Sequence, residues 1–86
     1  MDGSILSYFT YILKSQKDQG YYFGHCENLE TRLKSHSAGK VRSTKGRRPF
    51  IIHYFEAYST KTEAAKREYF FKTIDGYRFL KSSGII

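Results

Sequence analysis

Three segments of the chain are rich in aromatic and β-branched residues, a composition typical of β-strands. They span residues 6–14, 21–26 and 50–58. The polar segment 16–20 separates the first two and ends in a glycine, which favours a turn between neighbouring strands. The pattern therefore predicts an antiparallel hairpin, followed later in the chain by a third strand.

A first helix is predicted between the second and third strands. Asn28 is a favourable N-cap, and residues 29–37 follow with apolar positions at helical spacing. Gly39 can adopt the left-handed conformation that ends many helices. We therefore expect one helix over residues 29–37, closed by this glycine.

A second helix is predicted after the third strand. Thr60 and Glu63 have the spacing of a capping box, in which a hydroxyl and a carboxylate satisfy the first backbone amides of a helix. The helix is expected to run to about Ile74 and to stop at Gly76, with a short helical turn after it through Leu80. The order β-β-α-β-α is typical of an α+β fold in which helices cover a small sheet.

The length and composition exclude several classes of protein. A chain of 86 residues has room for a single domain over 1–86 with a small core, and not for a large substrate-binding domain. One cysteine, Cys26, excludes an internal disulfide, and with three histidines it cannot build a cysteine-rich zinc site. We find no apolar run near the ~20 residues of a membrane span, and no signal peptide. We therefore expect a soluble, cytoplasmic protein without membrane association.

The positive charge of the chain is concentrated in one segment. The formal net charge is +7, and residues 32–53 alone carry seven basic and no acidic residues. Clustered positive charge attracts phosphate polymers, and the arginine fork matches phosphate geometry. The segment therefore predicts nucleic-acid binding; the alternative is a solvated basic loop that maintains solubility.

The first predicted helix carries polar residues on its apolar stripe. Leu29, Arg32, Leu33 and His36 follow the i, i+3, i+4, i+7 spacing of a buried helix face. An ionised arginine at the edge of a core is costly unless an anion meets it. Either these two polar residues face a functional cleft, or they lie at the rim of the core and extend to water.

The second predicted helix shows the same anomaly at Glu68. On a helical wheel this residue projects between Ala64 and Ala65, within the apolar arc. A carboxylate at such a position needs a cation, a hydrogen-bond donor or a metal ion. The alternative to a functional role is an ion pair with Lys72 or Arg32.

Five segments, in this order and at this spacing, resemble the GIY-YIG nuclease superfamily, in particular its small stand-alone members. They are Phe-Thr-Tyr at 9–11, Tyr-Phe-Gly at 22–24, the helix at 28–36, the Gly-Lys to Arg-Arg-Pro loop at 39–49, and the helical segment 63–68. Each segment alone is a weak signal, but the ordered set covers about residues 8–81.

The resemblance implies a three-stranded antiparallel sheet flanked by helices, and metal-dependent hydrolysis of DNA phosphodiester bonds. It implies one divalent ion, Mg²⁺ or Mn²⁺, bound by Glu68. It gives catalytic roles to Tyr11, Tyr22, Arg32 and His36. The arginine would hold the scissile phosphate, and any one of the other three could orient or deprotonate the attacking water. A tyrosine base would need a nearby cation to lower its pKa.

The resemblance also assigns the remaining motif residues and shows two departures. Gly24 closes the second motif and allows a close approach of backbone or substrate. The first motif reads Phe-Thr-Tyr rather than Gly-Ile-Tyr, and His25 stands where some relatives have lysine, which leaves its role open. The loop residues expected to hold the DNA backbone without reading its base sequence are Lys40, Arg42, Lys45, Arg47 and Arg48.

Two functions from different classes fit this sequence. The first is an endonuclease acting on DNA, an activity that would serve DNA repair. The alternative is a nucleic-acid-binding module with the same fold and little or no catalytic turnover. Since the sequence shows no appended DNA-recognition domain, specificity is expected to be low or to come from a protein partner.

Overall fold

A computed structural model describes residues 6–86 of the chain. Its three strands are β1 (Tyr8–Ser15), β2 (Tyr21–Cys26) and β3 (Phe50–Tyr58). They form one antiparallel sheet in the order β2-β1-β3. The predicted α+β fold with a three-stranded antiparallel sheet is therefore confirmed, with β1 beginning at Tyr8 rather than at residue 6.

The first helix, α1 (Leu29–Ser37), begins and ends as the sequence predicts. The side-chain oxygen of Asn28 accepts a hydrogen bond from the backbone amide of Thr31 at 2.9 Å. Gly39 has a φ of +76°, and the amide that follows it, of Lys40, donates to the carbonyl of Ser35 at 3.0 Å. This glycine is favoured because a side chain would strain the left-handed conformation that closes the helix.

The C-terminal part of the chain forms two helices, α2 (Lys61–Phe71) and α3 (Ile74–Ser82). The predicted helix therefore ends at Phe71 rather than at about Ile74, and the short helical turn expected through Leu80 is present as the full helix α3, which contains Gly76. The chain turns at Thr73, whose hydroxyl accepts from the amide of Gly76 at 3.0 Å and so caps α3. In the part of the chain that the structure describes, none of the helices is long and apolar enough to cross a membrane.

Gly76 lies inside α3 because the two helices approach each other closely at this point. A Cβ added there would lie 1.8 Å from the carbonyl oxygen of Phe70, which no side chain could accommodate. The residue is also buried. The glycine therefore permits contact between α2 and α3 and does not end a helix.

Successive residues of β1 point to opposite faces of the sheet and create two small cores. Tyr11 and Leu13 pack with Phe50 on the face covered by α1. Ile12, between them, packs with Phe71 of α2 and Leu80 of α3 on the other face. The sheet therefore separates an α1 side from an α2–α3 side, and functional residues occur on both.

Candidate active site

A chain of buried and partly buried hydrogen bonds runs through the α1 side of the molecule. The hydroxyl of Tyr11 lies 3.2 Å from Nε2 of His36 and accepts from Nε of Arg32 at 3.3 Å. On the other side of the imidazole, Nδ1 lies 2.8 Å from the hydroxyl of Thr44. That hydroxyl donates to the carbonyl of Val41 at 3.3 Å. We name the first four of these residues the Tyr11 chain.

The direction of these hydrogen bonds fixes the protonation of the imidazole. Because the Thr44 hydroxyl donates to a carbonyl, we assign its bond with His36 as donated by Nδ1, which leaves Nε2 as an acceptor. The hydroxyl of Tyr11 then donates to Nε2. Burial, with a smaller contribution from the charge of Arg32, lowers the pKa of His36 to about 4, so the ring is neutral near pH 7.

Both aromatic members of the Tyr11 chain are removed from solvent. His36 is 0% exposed and Tyr11 is 1% exposed. Burial raises the pKa of Tyr11 to about 12, although its hydrogen bond with Arg32 acts in the opposite direction. The rim position considered for His36 is therefore wrong: the ring is satisfied inside the core, where it cannot contact substrate directly.

Gly24 provides the space into which Tyr11 extends. The two residues are partners in the register of β1 and β2. A Cβ at position 24 would lie 2.4 Å from the Tyr11 hydroxyl and 2.5 Å from its Cζ. The tyrosine ring therefore crosses the backbone of β2 where only a glycine leaves room for it.

Arg32, a member of the Tyr11 chain, also lines an open cleft at the end of β2. The cleft has a volume of about 510 Å³ and is lined by Tyr8, His25, Cys26, Glu27, Arg32 and Lys61. Nε of the arginine is held by Tyr11, and within residues 6–86 its terminal nitrogens make no hydrogen bond and no carboxylate pairs with it. The guanidinium is thus fixed at one nitrogen with its other donors available to an anion.

Tyr22 packs beside the Tyr11 chain without joining it. Its ring meets the His36 ring edge-on, with the centroids 5.1 Å apart, and the residue is half-buried. Neither Tyr22 nor Tyr11 lines the cleft. We expected both tyrosines to open onto one cleft with the arginine, but of the three only Arg32 lines the cleft.

Glu68 lies on the opposite face of the sheet from the Tyr11 chain. Its carboxylate oxygens are 2.6 Å from Nδ1 of His25 and 2.6 Å from Nζ of Lys72. Burial alone would raise the pKa of Glu68, but these two hydrogen bonds outweigh it and lower the pKa. The ion pair considered with Lys72 is present, whereas residues 6–86 contain none between Glu68 and Arg32.

His25 connects the two faces. Its side chain contacts Glu68 on the α2 side, and it also lines the cleft that Arg32 lines from the α1 side. The neighbouring position in β2 is Gly24, under the Tyr11 ring. His25 therefore joins the carboxylate of Glu68, which does not itself line the cleft, to the cleft that contains the guanidinium.

The residues present fit a divalent ion bound through one carboxylate. Between Leu6 and Ile86 we find no group of three His, Cys, Asp or Glu side chains that could enclose a metal. Mg²⁺ needs no such cage, because it retains several waters and takes one or two carboxylates with the substrate phosphates. Glu68 is ionised near neutral pH, and its oxygens retain lone pairs beyond those used by His25 and Lys72.

The basic loop, residues 40–48, contains two kinds of cation. Arg47 pairs with Asp18 at 2.8 Å, and Arg48 donates to the carbonyls of Lys45 at 2.9 Å and Ser37 at 3.3 Å. The remaining side chains are exposed and make no hydrogen bond or ion pair with any residue of the described part; they are Lys40, Arg42 and Lys45.

Sequence reasoning missed Thr44 and left His25 without a role. Thr44 lies in the basic loop, for which the sequence indicated only a positive charge. Its complete burial against His36 depends on how that loop folds back onto α1. His25 was visible as an odd residue next to Gly24, but its contact with Glu68 spans 43 positions of sequence. Neither contact has a local sequence signal.

Comparisons with known proteins agree with this architecture. The family model described as the GIY-YIG catalytic domain matches residues 7–76. The UPF0213 protein SH2523 of Staphylococcus haemolyticus is 43% identical over 75 residues, which cover 86% of this chain and 90% of that protein. The UPF0213 protein YazA of Bacillus subtilis is 41% identical over 69 residues, or 79% of this chain and 69% of its own.

A solved structure resembles the fold as well. The solution NMR structure of the UPF0213 protein BH0048 from Bacillus halodurans is 32% identical in sequence and superimposes with a TM-score of 0.52. The match covers 87% of this chain and 82% of that one. The family model spans both tyrosine motifs, Arg32 and Glu68. The chain therefore belongs to the GIY-YIG catalytic domain family, a superfamily of nucleases, together with the small UPF0213 proteins that it resembles.

Proposed function

We propose that this chain is a metal-dependent endonuclease that hydrolyses phosphodiester bonds in DNA. The observation that carries the proposal is Arg32: it lines an open cleft, Tyr11 holds its Nε, and no carboxylate within residues 6–86 forms an ion pair with it. A fixed guanidinium with available donors stabilises the charge that develops on a phosphate during hydrolysis.

The residues of the Tyr11 chain would act on the reaction through Arg32, because Tyr11 is buried and lies outside the cleft. The Tyr11 oxygen accepts from Nε of Arg32 and its proton is donated to Nε2 of His36, so the pair would hold the guanidinium in place for the phosphate. Because burial lowers the pKa of His36, Nε2 is unprotonated near pH 7 and accepts this hydrogen bond. Thr44 holds the other nitrogen and so fixes the tautomer. Tyr22 has no such acceptor, and its half-exposed phenol would orient the water.

Glu68 would hold the divalent ion at the end of β2. A bound Mg²⁺ or Mn²⁺ supplies positive charge to the phosphate and the leaving oxygen. His25 would position the carboxylate through its bond of 2.6 Å, and Lys72 would balance its charge from the next helical turn. The exposed cations of the basic loop, Lys40, Arg42 and Lys45, would contact the DNA backbone away from the scissile bond.

The test is nicking of supercoiled plasmid and branched DNA with Mg²⁺ or Mn²⁺. Arg32→Ala and Glu68→Ala are each expected to reduce the rate by roughly 10²- to 10⁴-fold. Glu63→Ala is the matched control on the same helix, because its carboxylate bonds only the hydroxyls of Ser59 and Thr60 among the described residues. Circular dichroism establishes that all the proteins are equally folded.

One observation favours the alternative of a binding module without turnover. Both oxygens of Glu68 already have partners, His25 and Lys72, as they would in a purely structural ion pair. In that case Glu68→Ala lowers the free energy of unfolding, and the wild type binds DNA without cleaving it in any metal. If Glu68 is a metal ligand, the same variant loses nicking but binds DNA as well as or better than the wild type, since a negative charge is removed.

A further inference from the structure

The outer surface of α2 carries a second, shallow groove that the proposed reaction does not use. It has a volume of about 490 Å³ and is lined by Lys61, Thr62, Ala65, Lys66 and Tyr69. None of these residues is acidic. Tyr69 is 74% exposed, more than any other large hydrophobic side chain of the described residues. A positively charged groove ending in an exposed aromatic ring is a surface suited to a nucleic-acid strand.

The groove is continuous with the cleft that contains Arg32. Lys61, at the first position of α2, lines both of them. Since a helix rises 1.5 Å per residue, Tyr69 lies roughly 12 Å further along α2. A strand bound at the cleft can therefore continue over Lys61 and Ala65 towards the tyrosine ring.

Neither acidic residue of α2 lines the groove. Glu63 accepts hydrogen bonds from the hydroxyls of Ser59 and Thr60 at the start of the helix. Glu68 is engaged by His25 and Lys72. By contrast, the described residues offer no ion-pair partner to the exposed side chains of Lys61 and Lys66.

We propose that this groove binds unpaired DNA nucleotides next to the scissile bond, with a base stacked on the ring of Tyr69 and its phosphates near Lys61 and Lys66. The inference rests on the proposed function in one respect, that the neighbouring cleft receives DNA. A base inside a duplex is covered on both faces by its neighbours, whereas an unpaired base can stack on the ring of Tyr69 without separating base pairs. The ring is sufficient for stacking, and the Tyr69 hydroxyl has no hydrogen-bond partner in the described structure.

The test is binding to two fluorescent probes in metal-free buffer, where no cleavage interferes. One probe is a single-stranded oligonucleotide of mixed sequence, and the other is the same oligonucleotide paired with its complement. Tyr69→Ala is expected to weaken binding of the single strand by roughly 5- to 100-fold and to leave duplex binding unchanged. Tyr69→Phe is expected to bind both probes like the wild type.

Tyr77→Ala is the matched control, because that tyrosine is also exposed, at 54%, but lies on α3 outside the groove. It should bind both probes normally. The inference is overturned if Tyr69→Ala binds the single strand like the wild type, or if it loses single-strand and duplex binding equally.

The binding readout separates this inference from the nuclease proposal. If Tyr69→Ala binds normally while the wild type nicks DNA, the groove has no such role and the nuclease proposal stands. If the selective loss is seen but no metal supports nicking, the groove binds unpaired DNA in a protein that does not cleave it.

Discussion

Two polar clusters lie on opposite faces of the sheet, and they differ in whether their charges are fully paired. On the α2–α3 side, the carboxylate of Glu56 accepts hydrogen bonds from Tyr54 at 2.5 Å, Tyr58 at 2.6 Å and Arg67 at 2.7 Å. The guanidinium of Arg67 also lies over three phenylalanine rings at 4.8 to 4.9 Å, those of Phe70, Phe71 and Phe79. We name the first four residues the Glu56 cluster.

The Tyr11 chain has no such closure. At one end Thr44 donates to the carbonyl of Val41. At the other end Arg32 forms no ion pair with a carboxylate among residues 6–86. Both clusters contain an arginine and tyrosine hydroxyls, so the difference is not one of composition. In the Glu56 cluster the charges compensate each other, so that removing one partner is costly. In the Tyr11 chain the guanidinium has no carboxylate partner among the described residues, so its charge can stabilise a bound anion.

The arginines of the two clusters are expected to differ in how much they stabilise the fold. Arg67→Ala leaves the partly buried carboxylate of Glu56 without its cation and should lower the free energy of unfolding by about 3 kcal/mol. Arg32→Ala removes one hydrogen bond to Tyr11 and should cost about 1 kcal/mol or less. Urea denaturation of both variants measures this, and equal losses would contradict the comparison.

The Tyr11 chain should make stability depend on pH through His36. Its pKa is about 4 in the folded protein, against about 6.5 in an unfolded chain. The unfolded state therefore binds the proton more strongly, so the contribution is complete above pH 6.5 and is lost as the pH falls towards 4. The loss should approach ~3 kcal/mol. The measurement is the unfolding free energy at pH 7, 5.5 and 4, for the wild type and His36→Gln; parallel curves would show that His36 is not the cause.

The close approach of Tyr11 to β2 gives a smaller, local effect. Gly24→Ala forces a methyl group against the tyrosine hydroxyl and should cost about 1–3 kcal/mol. Gly46→Ala is the control, since nothing lies within 4 Å of the added Cβ there. Thermal unfolding compares them; if the two variants melt together, Tyr11 does not need the space above position 24.

The same contrast between closed and open charges exists within the basic loop. Arg47 is paired with Asp18, whereas Arg42 is exposed without a partner in the described residues. If Lys40, Arg42 and Lys45 each neutralise one phosphate, these three residues should contribute roughly −2.7 to the slope of log affinity for duplex DNA against log salt. Arg42→Ala should reduce that slope by about 0.9, and Arg47→Ala should change it little. A slope near zero would exclude the loop from DNA binding.

Local sequence signals were sufficient for most of the elements. Apart from the ends of β1, the strands, the caps at Asn28 and Thr60 and the closing turn at Gly39 were predicted where they occur. Each depends on the preferences of a few adjacent residues. The same signals failed at Gly76. Its position in the sequence suggested a helix end. A glycine is required there because a Cβ would collide with a backbone carbonyl of the preceding helix.

The candidate site shows the same division. The sequence alone singled out Arg32, His36 and Glu68, since each is a polar residue on an otherwise apolar helix stripe. Which partner satisfies each of them was decided by tertiary structure. The His25–Glu68 contact, the burial of Thr44 and the open end of the chain at Arg32 join residues on different elements. Such contacts depend on how helices and a loop pack on the sheet, and this packing cannot be predicted from the periodicity of the sequence.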